Sequence, residues 1–239
     1  MRKLNKISLV DTILVVDDYE SWHKQNYTKN KKHYPLIARF TSIKLVNYFQ
    51  KKGANIHFNT YTDEEGNILR YGVVGYNDFI NDLKYWRTLT VSTYMHKPYE
   101  LVIDNPSVYP FQNENLTSAI CLSVLLNIIG NNESIEISEF EFYKKIVKIP
   151  YMNNSYFKLF EEINVDDIVE DLVDDFRNIY LPVIKGMNDQ QNINFIKYDS
   201  QRNIFIVENT YKSRRFFAEN LNFEIIKCMH QVLKHCRLY

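Results

Sequence analysis

Val10-Asp11-Thr12-Ile13-Leu14-Val15-Val16-Asp17-Asp18 is the stretch on which the fold turns. Its apolar, β-branched interior predicts a buried strand that starts near Ile7 and ends at the Asp17-Asp18 pair. Carboxylates at the ends of such a strand need a reason, because burying one unpaired costs several kcal/mol. Phosphoryl-transfer enzymes place carboxylates on rigid strands to hold a divalent metal against a triphosphate. Asp11 and Asp17 are an even number of residues apart, so an extended strand sends both to one face but separates them by roughly 20 Å. They cannot share one metal unless the strand bends, so one pole holds metal and the other does something else. The plain alternative is that Asp17-Asp18 caps the following helix.

Working outward, Glu20 to Lys52 is polar, aromatic and basic, with Leu36, Phe40, Ile43, Val46 and Phe49 at helical spacing. Pro35 divides it into two helices and Gly53 is a natural stop. Asn55 to Thr62, the turn Asp63-Glu64-Glu65-Gly66-Asn67, and Ile68 to Val74 read as a hairpin. A short helix over Asn77 to Leu89, a short strand over Glu100 to Ile103 and an apolar helix over Leu116 to Ile129 follow. Ser138 caps a helix reaching to about Val147. Asp166 to Lys185 is a second helix, a second hairpin covers Ile193 to Glu208, and a last helix covers Asn222 to Cys236. The expected class is α/β (α+β), dividing near residue 113 into an α/β half and a mostly helical half with a hairpin wing.

The chain has 239 residues, enough for one large domain or two small ones. Its 29 Lys and Arg balance 29 Asp and Glu, so net charge gives no steer toward nucleic acid, and none is expected as a partner. Three scattered cysteines without CxxC spacing fit a reducing compartment and argue against a zinc knuckle. No run approaches the ~18 apolar residues of a membrane helix. The start, MRKLNK, carries neither a signal-type apolar region nor a long Arg- and Ser-rich transit segment.

Smaller features each have a chemical and a plain reading. Lys97-Pro98 can neutralise a triphosphate or be a solvated turn lysine. Trp22-His23 reads better as packing or capping than as a base. Arg214 and Arg215, flanked by Tyr211, Phe216 and Phe217, can meet a lipid phosphate headgroup or simply decorate the wing. The acids from Asp166 to Asp175 read as a solvated helix face favoured by the helix dipole.

An ordered set of phrases resembles the Tam41/Mmp37 family. It comprises VDTILVVDDYESWHKQN (Val10 to Asn26), HYP (His33 to Pro35), GANIHFN (Gly53 to Asn59), RYGVV (Arg70 to Val74) and DLKYW (Asp82 to Trp86). KP (Lys97-Pro98), NLTSA (Asn115 to Ala119), IPY (Ile149 to Tyr151) and FRNIY (Phe176 to Tyr180) follow in order. The resemblance implies a polymerase-beta-like nucleotidyltransferase domain over 1–112 and a winged-helix-like domain over 113–239. It implies a phosphatidate cytidylyltransferase that joins CTP to phosphatidate with Mg²⁺ or a similar divalent metal, releasing CDP-diacylglycerol and pyrophosphate. Asp11 is then the first metal ligand, with Asp17 and Asp18 next. Lys97 and Arg70 are phosphate partners, and Asn59, Tyr71 and Asn115 are nucleotide-side or structural positions.

The expected setting is cytoplasmic and peripheral, on the inner face of a membrane, which is the matrix side in eukaryotic members. Richness in Lys, Asn, Ile and Tyr points to a bacterial member from an AT-rich genome. Two departures stand out. The family's fold usually carries a Gly-Ser pair before the acidic strand, whereas the residues before Asp11 include Ser8 but no glycine. Ile13 also occupies the second place of the usual acidic-x-acidic pair. A transferase on another acceptor and a non-catalytic nucleotide- or lipid-binding relative are the alternatives, and a homo-oligomer stays open.

Overall fold

The structure is a computed structural model that describes residues 9–128, 130, 132–151 and 165–221. The chain divides into two compact units, Met1–Asn81 and Asp82–Tyr239.

The first unit is a three-stranded sheet with helices. β1 (Leu9–Val16) leads into α1 (Tyr19–Lys29), a 3-10 turn (Lys31–His33), α2 (Leu36–Phe40) and α3 (Ile43–Lys52). β2 (Ile56–Thr62) and β3 (Ile68–Gly75) form the expected hairpin, and α4 (Tyr76–Tyr85) follows. The strand order is β1-β3-β2, with β1 parallel and β2 antiparallel to the central strand. Local chemistry explains the punctuation. Asp18 caps α1 by accepting the Glu20 amide at 3.0 Å. Asp63 accepts the Glu65 and Asn67 amides in the hairpin turn, where Gly66 takes a positive φ of 90°. Gly53 ends α3 through its N–H to the Phe49 carbonyl.

The second unit is mostly helical around one apolar core. Its elements are α5 (Val91–Tyr94), α6 (Tyr109–Asn127), β4 (Ser134–Ser138), α7 (Glu139–Lys148), α8 (Val165–Asp171), α9 (Val173–Gln191), β5 (Ile196–Asp199), β6 (Ile204–Glu208) and α10 (Tyr211–Glu219). The hairpin β5-β6 recruits β4 into an antiparallel sheet of order β4-β6-β5. Ser138 caps α7 by accepting the Glu141 amide. Arg177 of α9 grips the nearly buried Glu139 of α7 at both oxygens, 2.7 and 2.5 Å.

Glu20 to Lys52 holds three α-helices rather than two, because Thr41 leaves helical geometry (φ −112°, ψ −142°) and Ser42 caps α3 anew, and further local expectations change. Glu100 to Ile103 is irregular backbone, not a strand, and Val102 and Ile103 are strongly exposed, so no sheet partner rewards their β propensity. The helix expected over Asp166 to Lys185 is two helices, because Leu172 leaves helical geometry with φ −122° and ψ 17°. Arg214 and Arg215 lie on α10, which follows the hairpin and is started by a Thr210–Ser213 capping box. β4 was not foreseen. The strand start at Ile7, Ser8 and the helix expected over Asn222 to Cys236 lie outside the described residues.

Candidate active site on the first sheet

Strand register puts Asp11 of β1 directly beside Arg70 of β3, with Thr60 of β2 on the other flank. The Arg70 guanidinium donates Nε to Asp11 Oδ1 at 2.7 Å and a terminal nitrogen to Oδ2 at 2.5 Å. This two-point geometry is what a planar guanidinium and a carboxylate favour. The side chains are 40% (Arg70) and 34% (Asp11) exposed, so the pair stands at the surface. The guanidinium also lies 5.4 Å from the centre of the Phe58 ring. By strand alternation Ile13 and Val15 share this face with Asp11, Gly72 with Arg70, and Ile56 and Phe58 with Thr60. A Cβ at Gly72 would fall 2.6 Å from Ile56 Cδ1 and 2.8 Å from Phe58 Cε1. The glycine of the RYGVV run therefore lets two side chains close over the central strand. The result is an apolar floor carrying one charged, reachable pair.

The other face of the same sheet is polar in a different way. His23 of α1 is fully buried between the Tyr34 hydroxyl (Nδ1, 2.9 Å) and Gln50 Oε1 (Nε2, 2.9 Å). Gln50 donates onward to the Val73 and Asn55 carbonyls, both at 3.0 Å. Asn26 donates to the hydroxyls of Tyr34 and Tyr71, and His33 Nδ1 meets the Tyr71 hydroxyl at 2.8 Å. His57 stacks on Tyr34 with ring centroids 5.9 Å apart, and its Nε2 is buried without a hydrogen-bond partner. Asn59 is fully buried, and neither of its side-chain polar atoms has a hydrogen-bond partner among the described residues.

Burial sets the charge state of this layer. It pushes His57 down to about 4, with nearby His23 adding to the effect, and pushes Tyr34 up to about 12. Burial also lowers His23, partly offset by Gln50, and lowers His33, helped by Arg39. The layer is therefore neutral near neutral pH. It offers dipoles, while the open face offers charge.

The sequence candidates separate accordingly. Asp11 and Arg70 meet on the open face. Asn59 and Tyr71 are cross-strand neighbours in the buried layer. Asp17 and Asp18 are exposed just beyond the end of β1, and Asp18 is the α1 cap. The remaining candidates belong to the second unit. Asn115 is buried and holds Trp86 Nε1 (2.7 Å), His96 Nε2 (2.9 Å) and the Ser92 carbonyl (3.1 Å). Lys97 is half-buried with its ammonium 5.6 Å from the Tyr94 ring centre. Arg214 donates to Asn209 Oδ1 at 2.7 Å, and Arg215 pairs with Glu219 one turn along α10. His33, Gln50 and His57 were missed. The alternation of β2 does turn His57 inward with Asn59, but no spacing links Gln50 to His23.

A protein-built magnesium site needs oxygen ligands that converge on one point. Among the described residues no three His, Cys, Asp or Glu side chains converge on one point. While Arg70 holds both Asp11 oxygens, that carboxylate is closed to a metal. Magnesium commonly takes only one or two carboxylates, the rest of its shell being water and substrate phosphate. The exposed neighbours Asp17 and Asp18 fit a metal that arrives with a triphosphate, and there is no preformed protein cage among the described residues.

Comparison with known proteins identifies the family. A family model described as "Phosphatidate cytidylyltransferase, mitochondrial" (Tam41/Mmp37) matches residues 2–235. A protein of that name from Schizosaccharomyces pombe is 30% identical over 178 residues, covering 74% of this chain and 44% of its own length. The one from Danio rerio is 30% identical over 182 residues, covering 74% and 52%. That of Saccharomyces cerevisiae is 29% identical over 178 residues, covering 74% and 46%. The chain thus spans about half the length of the curated relatives it matches. With a family match that runs nearly end to end, the chain belongs to the Tam41/Mmp37 family.

Proposed function

We propose that this chain transfers the cytidylyl group of CTP to phosphatidate, forming CDP-diacylglycerol and releasing pyrophosphate. The observation that carries the reading is the family match over residues 2–235. The first sheet, with its carboxylate on β1 and helices over one face, supports a nucleotidyltransferase-type unit. The order α6, β4, α7, α8-α9 and hairpin, with β4 completing the sheet, supports a winged-helix-like second unit.

The chemistry asks for positioning and charge neutralisation. A phosphate monoester is largely dianionic near neutral pH, with a second pKa of about 6. Its oxygen attacks the α-phosphorus of CTP without a strong base, and pyrophosphate leaves. The neutral buried layer has no acid–base part in this. Asp11 holds the Arg70 fork ordered on the open face before substrate arrives. A triphosphate offers Arg70 a stronger set of acceptors, and the exchange frees the Asp11 carboxylate. Either Asp11 or the Asp17-Asp18 pair, at opposite ends of the unbroken β1, would then hold a divalent ion, which would supply further neutralisation of the phosphates. Lys97 of the second unit remains a candidate cation for the phosphates.

The lipid substrate requires work at a membrane surface, and the relatives are named as mitochondrial. Among the described residues no helix is long and apolar enough to cross a membrane, which fits peripheral attachment. The test is product analysis with phosphatidate and each of the four nucleoside triphosphates, with and without a chelator. CDP-diacylglycerol should form with CTP and vanish with the chelator. Equal turnover of ATP or UTP, or activity that survives chelation, would contradict the proposal. CTP binding without product would leave a non-catalytic relative.

A further inference from the structure

The first unit carries a charge asymmetry that the chain as a whole conceals. From residue 21 to residue 62 there are eight Lys or Arg and no Asp or Glu, within a chain that has 29 of each sign. Among the described residues none of the eight pairs with a carboxylate. The same stretch displays large apolar side chains. Leu36, Ile37 and Phe40 of α2 are 65%, 72% and 85% exposed. On a helix, positions i, i+1 and i+4 lie on one side. Ala38, on the opposite side, is buried with Tyr34 and Val46.

This short helix is held firmly, so the display is built in. The Tyr27 hydroxyl donates to the Ala38 carbonyl at 2.9 Å. Arg39 spends its guanidinium on the backbone of the preceding turn, at the Tyr34 carbonyl (2.6 Å) and the Lys32 carbonyl. Lys44, Lys51 and Lys52 are exposed on α3, as are Tyr48 and Phe49.

We infer that α2 and the basic surface of α3 form a docking face for an anionic lipid bilayer, with Leu36, Ile37 and Phe40 entering the interface. The inference rests on the transferase reading only in that a lipid substrate gives such a face a purpose. Cations without local acids match a negative surface, and each contributes about fivefold to partitioning. Protruding aliphatic side chains gain by leaving water for the headgroup–acyl boundary. They would gain little on a nucleic acid, where recognition uses phosphates and ring stacking. Arg214 and Arg215 are on α10 of the second unit and have protein partners there.

The test is sedimentation of the full chain with vesicles of phosphatidylcholine alone, or with added phosphatidylglycerol, which is anionic but not the substrate. Binding should need the anionic lipid and weaken with salt. The variants L36S/I37S/F40S and K44Q/K51Q/K52Q should each bind at least about tenfold more weakly, while R214Q/R215Q should bind normally. All three should keep their circular dichroism. Vesicle binding unchanged in L36S/I37S/F40S, equal binding to neutral vesicles, or tighter binding to an RNA oligonucleotide than to anionic vesicles would overturn the inference. Product from short-chain, dispersed phosphatidate judges the transferase reading separately, and the α2 variant should keep it at the level of the unaltered chain.

Discussion

In the first unit the buried residues beneath the sheet include His23, Tyr34 and Gln50, joined by hydrogen bonds across α1, α3 and the strands. In the second, the centre is Phe142, Tyr143, Phe176, Tyr180 and Phe205, packed ring on ring, with Phe142 and Phe205 centroids 4.2 Å apart. An interior of donors and acceptors depends on directed partners and loses stability at each group left without one, so it fixes geometry at some cost in stability. An interior of rings gains from sheer burial and is indifferent to fine direction. The first unit is thus built to hold a sheet face in one arrangement. The second is built to be stable.

Four perturbations sharpen or break this contrast. The largest effect is expected on the open face, where Asp11→Asn should lower cytidylyl transfer at least about a hundredfold through lost charge. The Asp11–Arg70 pair is over a third exposed on average, so stability should change by less than about 1 kcal/mol in urea unfolding. Near-full activity in Asp11→Asn together with a dead Asp17→Asn would move the chemistry to the other end of β1.

Next is the ring core. Phe205→Ala should cost about 3–5 kcal/mol by urea unfolding, since the ring is fully buried among Phe142, Tyr143 and Tyr198. A cost below about 1 kcal/mol would show that the second unit is not held by its rings.

The third perturbation is acid. His57 is held neutral, with burial lowering it from 6.5 to about 4. The unfolded chain binds a proton that the folded one refuses, so this contribution to stability is whole above pH 6.5 and drains as the pH falls toward 4. His57→Phe should flatten the stability profile in that window. His96 of the second unit, lowered to about 4 by burial, supplies the slope that remains together with His23 and His33, which burial also lowers. An identical slope in the variant would mean that the polar layer does not resist protonation.

The smallest effect is expected at Tyr143, whose hydroxyl is buried without a hydrogen-bond partner. Tyr143→Phe should leave stability unchanged or raise it by up to about 1 kcal/mol, because no bond is lost. A clear loss would reveal a partner for that hydroxyl.

Local order was legible where chemistry is local. The β2-β3 hairpin followed from alternation and the Asp63-to-Asn67 turn, the end of α3 from Gly53, and the start of α7 from Ser138. What was hidden depends on distance along the chain. The Asp11–Arg70 pair joins residues 59 apart, and His23 meets Gln50 across 27. Nothing in β1 alone says which strand will lie beside it. β4 was hidden because its five residues gain their strand character from pairing with β6. Exposure was hidden too. Leu36, Phe40 and Phe49 fall at helical spacing with the buried Val46, yet all three face solvent. Family resemblance, carried by ordered phrases rather than by any one motif, was the most legible feature of all.

The most direct test supplies the unaltered chain with phosphatidate and CTP labelled at the α-phosphate in one reaction and at the γ-phosphate in another. Cytidylyl transfer predicts α-label in the lipid product and γ-label in pyrophosphate. Label from the γ-phosphate in the lipid, or no labelled lipid from either nucleotide, would contradict it.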